Sequence, residues 1–247
     1  MLQALQRDPE LSGLVPRAHG GRCGDVPRLS QRNWAASMGE ILAMVRRLST
    51  RATLLLPHLL ADPRPVALHE AAAGGLTELA AAGLGDSLLR LVNAGLQRAD
   101  PVPRLLQHGD LWPGNVLWHQ GTWRLLDFEI FGRIQVPLYD VCHFVRTCWS
   151  LREHGSEEPT AWVDRVLWDA RDAQPCRSMI RREACALGLT ATQAAGALLY
   201  YLVDIAAQFR RRGLPRESWQ PLIQDVRRAA KALAAGISLE DVVWGRP

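Results

Sequence analysis

His108-Gly109-Asp110-Leu111-Trp112-Pro113-Gly114-Asn115, followed by Leu125-Leu126-Asp127-Phe128-Glu129, is the stretch on which the reading of this chain turns. Between its two halves lie short strand-like runs, 115–119 and 123–127. Gln120-Gly121-Thr122 separates them, with a glycine to take a positive φ. A three-residue loop there pairs His119 with Trp123 and, counting back, Asn115 with Asp127. Residues paired in an antiparallel ladder share a face, so both side chains meet at the open end of the hairpin. A two-residue loop, Gln120-Gly121, would instead pair Asn115 with Leu126 and turn Asp127 away. The three-residue loop is the expectation.

The oxygen-bearing side chains of this stretch suit phosphoryl transfer. One carboxylate orients the attacking hydroxyl and takes its proton. A side-chain amide and a second carboxylate hold Mg²⁺ against the triphosphate. The spacing D-x-x-x-x-N, Asp110 to Asn115, supplies the first two from one loop, and Asp127 supplies the third.

Further on stands Pro137-Leu138-Tyr139-Asp140-Val141. The three segments, in this order, resemble the aminoglycoside phosphotransferase and choline kinase family. Its pattern is H-G-D-x-x-x-x-N, then an I-D-F/W-E-like segment, then a D-P-x-x-D-L-like segment. The resemblance implies a mainly α fold with a small β-hairpin, the C-terminal lobe of the protein-kinase-like fold, its N-terminal β-lobe absent or vestigial. It divides the chain into an irregular segment near the lobe hinge, 1–30, and a phosphotransferase lobe, 31–247. The catalytic loop is then 108–115 and the metal segment 125–129. The implied activity is transfer of the γ-phosphoryl group of ATP, with Mg²⁺, to a small-molecule alcohol. Asp110 would position the hydroxyl, Asn115 and Asp127 would bind Mg²⁺, and Asp140 would brace the catalytic loop. Gly109 stands where protein kinases have Arg, which favours a small-molecule acceptor. His108 reads as a buried scaffold residue beside Gly109. Trp112 shapes the loop or lines the acceptor pocket, and Glu129 reaches a metal-bound water, the substrate or a structural partner. Asp204 interrupts an apolar helix face: a counter-charge for a cationic acceptor, or the partner of a nearby Arg.

The family's first lobe is a small sheet with a phosphate-covering loop and a strand Lys. Residues 1–30 have no room for such a sheet, and Lys231 is the only lysine. The likeness therefore spans about 30–235. Three explanations stay open: a piece of a longer chain, loss of the first lobe, or a separate chain supplying the nucleotide lobe. The alternative function is a non-catalytic binding or scaffolding module built on the second lobe.

Composition narrows the class. The 247 residues are 48% hydrophobic and 22% charged, with net charge +4, ordinary for a globular chain. No aromatic-interleaved basic stripe appears, so no nucleic-acid partner is expected. No apolar run reaches membrane-spanning length. Five cysteines without a C-x-x-C suggest reduced thiols and a cytoplasmic setting.

Hydrophobic periodicity predicts helices over 33–48, 52–60, 66–82 (interrupted at Gly74-Gly75), 87–97 with Asp86 as cap, 137–149, 160–171, 176–187, 191–211 and 217–235. Thr190 with Gln193 makes a capping box. Arg46-Arg47, Arg210-Arg211-Arg212 and Arg227-Arg228 are expected in or near last turns, where cations complement the helix dipole.

Overall fold

A computed structural model describes residues 2–14, 34–60, 62, 64–119, 121–154, 162–163, 173–237 and 240–241. Eight helices and one hairpin make up the described elements. They are α1 (Leu2–Arg7), α2 (Trp34–Leu55), α3 (Leu68–Ala81), α4 (Asp86–Arg98), β1 (Val116–His119), β2 (Thr122–Leu125), α5 (Tyr139–His154), α6 (Ala173–Ala186), α7 (Ala191–Arg211) and α8 (Arg216–Ala234). The mainly helical expectation with one small hairpin holds. The predicted helix over 160–171 lies, but for Trp162 and Val163, outside the described residues.

Two helices form the centre. On α7 every residue from Ala194 to Val203 is buried, and α3, α4 and α8 gather around it. A helix covered on all sides can be apolar all round, and the run Ala194-Ala195-Gly196-Ala197-Leu198-Leu199 is. Thr190 and Gln193 close the N-terminus of α7 with the predicted capping box. The second central helix, α5, is buried from Tyr139 to Ser150 although it carries Asp140, His143, Arg146 and Thr147. Buried polar groups cost several kcal/mol unless partnered, so each of these has to find a partner nearby.

Other helices bury one stripe each. On α3 the buried positions are Leu68, Ala72, Gly75 and Leu79, at the helical spacing of three and four. α3 runs unbroken through Gly74-Gly75, where an interruption was expected. Gly75 lets α3 approach α7 closely: a Cβ there would lie 2.9 Å from Val203 Cγ1. The predicted helices over 33–48 and 52–60 are one helix as far as Leu55, followed by a single 3-10 turn at Pro57–Leu59. Arg46-Arg47 therefore sit mid-helix rather than in a last turn. Asp86 begins α4, but Gly85 is its N-cap and no side chain caps it.

The N-terminal residues are less irregular than expected. α1 and the turns after it put Leu5 and Leu11 in the core. Asp8 receives Arg51 Nε of α2 at 3.0 Å, and the Leu14 carbonyl accepts the Leu125 amide of β2 at 3.0 Å. Residues 2–14 thus pack on the same body that carries the hairpin. Among the described residues no single helix is long and apolar enough to cross a membrane.

The hairpin register corrects the sequence reading. Val116 pairs with Leu125, Leu117 with Arg124, Trp118 with Trp123 and His119 with Thr122. Two positions, not three, separate the last pair, and Asn115 stands opposite Leu126, whose amide donates to the Asn115 carbonyl at 2.8 Å. The cross-strand Trp118–Trp123 pair explains the choice. Its rings meet edge to face at a centroid distance of 4.7 Å, a contact the three-residue register would lose by turning the two side chains to opposite faces. Asp127 therefore lies one residue beyond the ladder. Its φ of +54° breaks strand geometry there, so the pleat no longer dictates where its side chain points.

Candidate active site

The 108–115 loop is held from beneath by one carboxylate. Asp140, in the first turn of α5 and fully buried, accepts the His108 amide at 2.6 Å and the Gly109 amide at 2.8 Å. Burial pushes its carboxyl above the usual carboxylate range, while His108 and the two amides pull the other way. Gly109 has φ +88°, a conformation that favours glycine, and it turns the chain so that both amides face Asp140. Leu105 and Gln107 donate to the carbonyls of Gln135 and Ile134, and Gly132 donates back to Gln107. The Leu106 amide is taken by Thr53 Oγ1 of α2 at 2.9 Å. The approach to the loop is thereby fixed from two sides.

His108 is fully buried and donates through Nε2 to the Leu126 carbonyl at 2.7 Å. Its ring meets Phe128 edge-on at 5.0 Å. This imidazole ties the 108–115 loop to the 125–129 segment. Asn115 closes the single 3-10 turn Pro113–Asn115. Its amide nitrogen donates to the Asp110 carbonyl at 2.9 Å and lies 3.4 Å from Asp110 Oδ2. Trp112 folds over Gly114: a Cβ at 114 would fall 2.0 Å from the indole, so only glycine leaves the ring this place.

Asp110 is the one acidic side chain of the loop, and it is 38% exposed. His143 Nε2 lies 3.7 Å from its Oδ1. The His143 imidazole is the largest influence on the carboxyl and holds it below the ordinary range; burial opposes, and His108 and Arg212 add positive field. An open face, a low proton affinity and a rigid loop make a carboxylate that can accept a hydrogen bond from a hydroxyl.

Asp127 and Glu129 are both exposed. The Glu129 amide donates to Asp127 Oδ1 at 3.3 Å. Among the described residues the Asn115 side-chain oxygen has no protein partner, and no cluster of three or more His, Cys, Asp and Glu forms a metal site. Oxygen donors few in number, left open for phosphate and water to complete, fit Mg²⁺ rather than a dedicated protein cage. Asp204 sits apart from this group on α7. It accepts Gln208 Nε2 at 2.6 Å and lies 3.6 Å from Arg211. Gln208 also donates to the Tyr139 hydroxyl at 3.0 Å.

The structure adds residues that sequence reasoning passed over: His143, Arg146 and Tyr201. One signal was available. His143 follows Asp140 by three positions, so a helix that turns Asp140 to the loop turns His143 to it as well.

A helical body that braces a D-x-x-x-x-N loop on a buried Asp, with a second Asp just past a short hairpin, fits a phosphotransferase of the kinase-like type. The comparison with known families agrees, for the chain belongs to the phosphotransferase enzyme family, whose model matches residues 4–174. That match begins well before residue 30 and so takes in the N-terminal segment. No curated protein matches the chain.

Buried acid chemistry also appears outside this loop. Asp225 of α8 accepts the amides of Trp162 and Val163 at 3.1 and 2.8 Å, and burial raises its pKa to about 6. A raised folded pKa stabilises fully below the unfolded value, and that contribution is lost as pH rises through about 6. Between roughly pH 4 and 6.5 the loss should reach about 2 kcal/mol. Urea midpoints measured across that range check this, and Asp225→Asn should flatten the dependence.

Proposed function

We propose that this chain is an ATP- and Mg²⁺-dependent phosphotransferase that moves the γ-phosphoryl group to a hydroxyl of a small molecule. The observation that carries the reading is Asp110: a half-open carboxylate with depressed proton affinity, on a loop locked by Asp140 and tied to Asn115. Its place favours a hydroxyl lying against it, with the oxygen in line with the phosphorus. As the new phosphorus–oxygen bond forms, the bond from the γ-phosphorus to the bridging oxygen breaks, ADP leaves, and the hydroxyl proton passes to Asp110. Such transition states are loose, and positioning with charge stabilisation supplies most of the rate. Asn115 and Asp127 would hold Mg²⁺, which when bound offsets charge on the phosphates. Asn115 can turn its free oxygen outward because its nitrogen is engaged with the loop. The acceptor would be an alcohol that reaches the open face of Asp110.

A second reading, a binding or scaffolding module, rests on one observation. The only lysine is Lys231, in the last turn of α8, so the described residues offer no strand Lys for the α- and β-phosphates. Calorimetric titration with ATP, with and without Mg²⁺, separates the two. The phosphotransferase reading expects Mg²⁺-dependent binding that is lost in Asp127→Ala. A folded chain that binds no Mg²⁺-ATP, or binds it equally after the substitution, favours the module.

A further inference from the structure

We propose that His143 is a positioning residue for Asp110, fixed in one tautomer by a chain of contacts that runs from the Tyr201 hydroxyl through the ring to the Asp110 carboxylate. The role in turnover rests on the reading of Asp110 given above; the chain itself does not.

The geometry sets each donor in turn. His143 Nε2 stands 3.7 Å from Asp110 Oδ1, and its Nδ1 stands 3.3 Å from the Tyr201 hydroxyl. A carboxylate oxygen can only accept, so the ring nitrogen turned to Asp110 is the one that carries the proton. The Tyr201 hydroxyl can then give its hydrogen to His143 Nδ1. A ring that accepts at Nδ1 and is neutral carries its proton on Nε2, facing Asp110.

The ring's surroundings keep it neutral. His143 is 7% exposed and Arg146 3%. Burial, with the Arg146 charge beside it, lowers the His143 pKa, against the pull of Asp110 and Asp140. Tyr139 stacks on one side at a centroid distance of 6.4 Å and Tyr201 meets the ring at 6.1 Å. Arg146 in turn lies in the field of buried Asp225 from α8. The chain thus links α7 to α5, and its last member faces the Asp110 carboxylate.

A distance of 3.7 Å is longer than a formed hydrogen bond. Catalytic hydrogen bonds commonly tighten when ligand binds. Closing it would occupy Oδ1 with the His143 N–H and leave Oδ2 for the acceptor hydroxyl. His143 takes no proton in this scheme. It fixes which oxygen of Asp110 is used.

The test is spectroscopic first. Long-range ¹H–¹⁵N spectra of the labelled full chain report imidazole tautomers, with His143 identified by its loss in His143→Gln. At neutral pH the expected state is neutral, protonated on Nε2, and Tyr201→Phe should mix the tautomers. An Nδ1–H tautomer or an imidazolium in the wild type, or unchanged His143 signals in Tyr201→Phe, would overturn the proposal. These spectra need no turnover. The kinetic arm uses Mg²⁺-ATP hydrolysis as its probe. His143→Leu should lower kcat about 10- to 100-fold with KM for ATP unchanged. His143→Gln, whose amide nitrogen reaches close to the place of Nε2, should recover most of it. Equal kcat in wild type and His143→Leu would overturn the positioning role. A wild type without any hydrolysis would count against the Asp110 reading, while the spectra still decide the chain.

Discussion

Replacing Asp140 with alanine is expected to destabilise the chain by about 3–5 kcal/mol, the largest single-residue effect the site should show. The side chain is 0% exposed and accepts the amides of both His108 and Gly109. Removing it leaves both donors, His108 N and Gly109 N, buried without water. It also releases the loop from α5, so activity should fall with stability. Asp140→Asn keeps one acceptor oxygen and turns an NH₂ against the other amide, so a smaller but definite loss is expected. Urea unfolding at constant slope measures this. A midpoint shift worth less than about 1 kcal/mol would mean that the amides find new acceptors.

Asp110→Ala should act in the opposite sense on the two observables. Turnover is expected to drop by about 10²- to 10⁴-fold, the usual contribution of a positioned proton acceptor, with the unfolding midpoint little changed. The carboxylate is partly open to solvent, and its backbone, not its side chain, supports the loop through the 2.9 Å bond from Asn115 Nδ2 to its carbonyl. Steady-state phosphoryl transfer alongside thermal unfolding tests both halves. Full turnover in the variant would remove Asp110 from the reaction.

Much of this was legible in the sequence because the informative signals are local. The Thr190–Gln193 capping box and the apolar run after it give α7 its observed limits, 191–211. The loop motif locates Asp110 and Asn115 within one turn of each other. Three things were not legible. The hairpin register depended on whether Trp118 would face Trp123, a cross-strand contact that loop composition does not reveal. α2 outran its predicted end at Leu48, because Ala52 continues the buried stripe and Thr50 and Thr53 bond back to carbonyls of the preceding turn. The path of residues 2–14 was hidden because Leu5, Leu11 and Asp8 find their places only against α2 and β2. Of the candidate site, the residues of the motif could be located in the sequence, whereas His143 and Tyr201 meet from positions 58 apart, which only the packed helices define.

The short ladder has one more consequence. Asp127 stands past the last paired residue and owes its direction to a single left-handed backbone torsion. Asn115, in contrast, is tied down at both ends. The two side chains are therefore held unequally: Asn115 through its carbonyl and its amide nitrogen, Asp127 through the Glu129 amide. On the proposed reading of both as cation ligands, Asp127 is the one whose direction the ladder leaves unset.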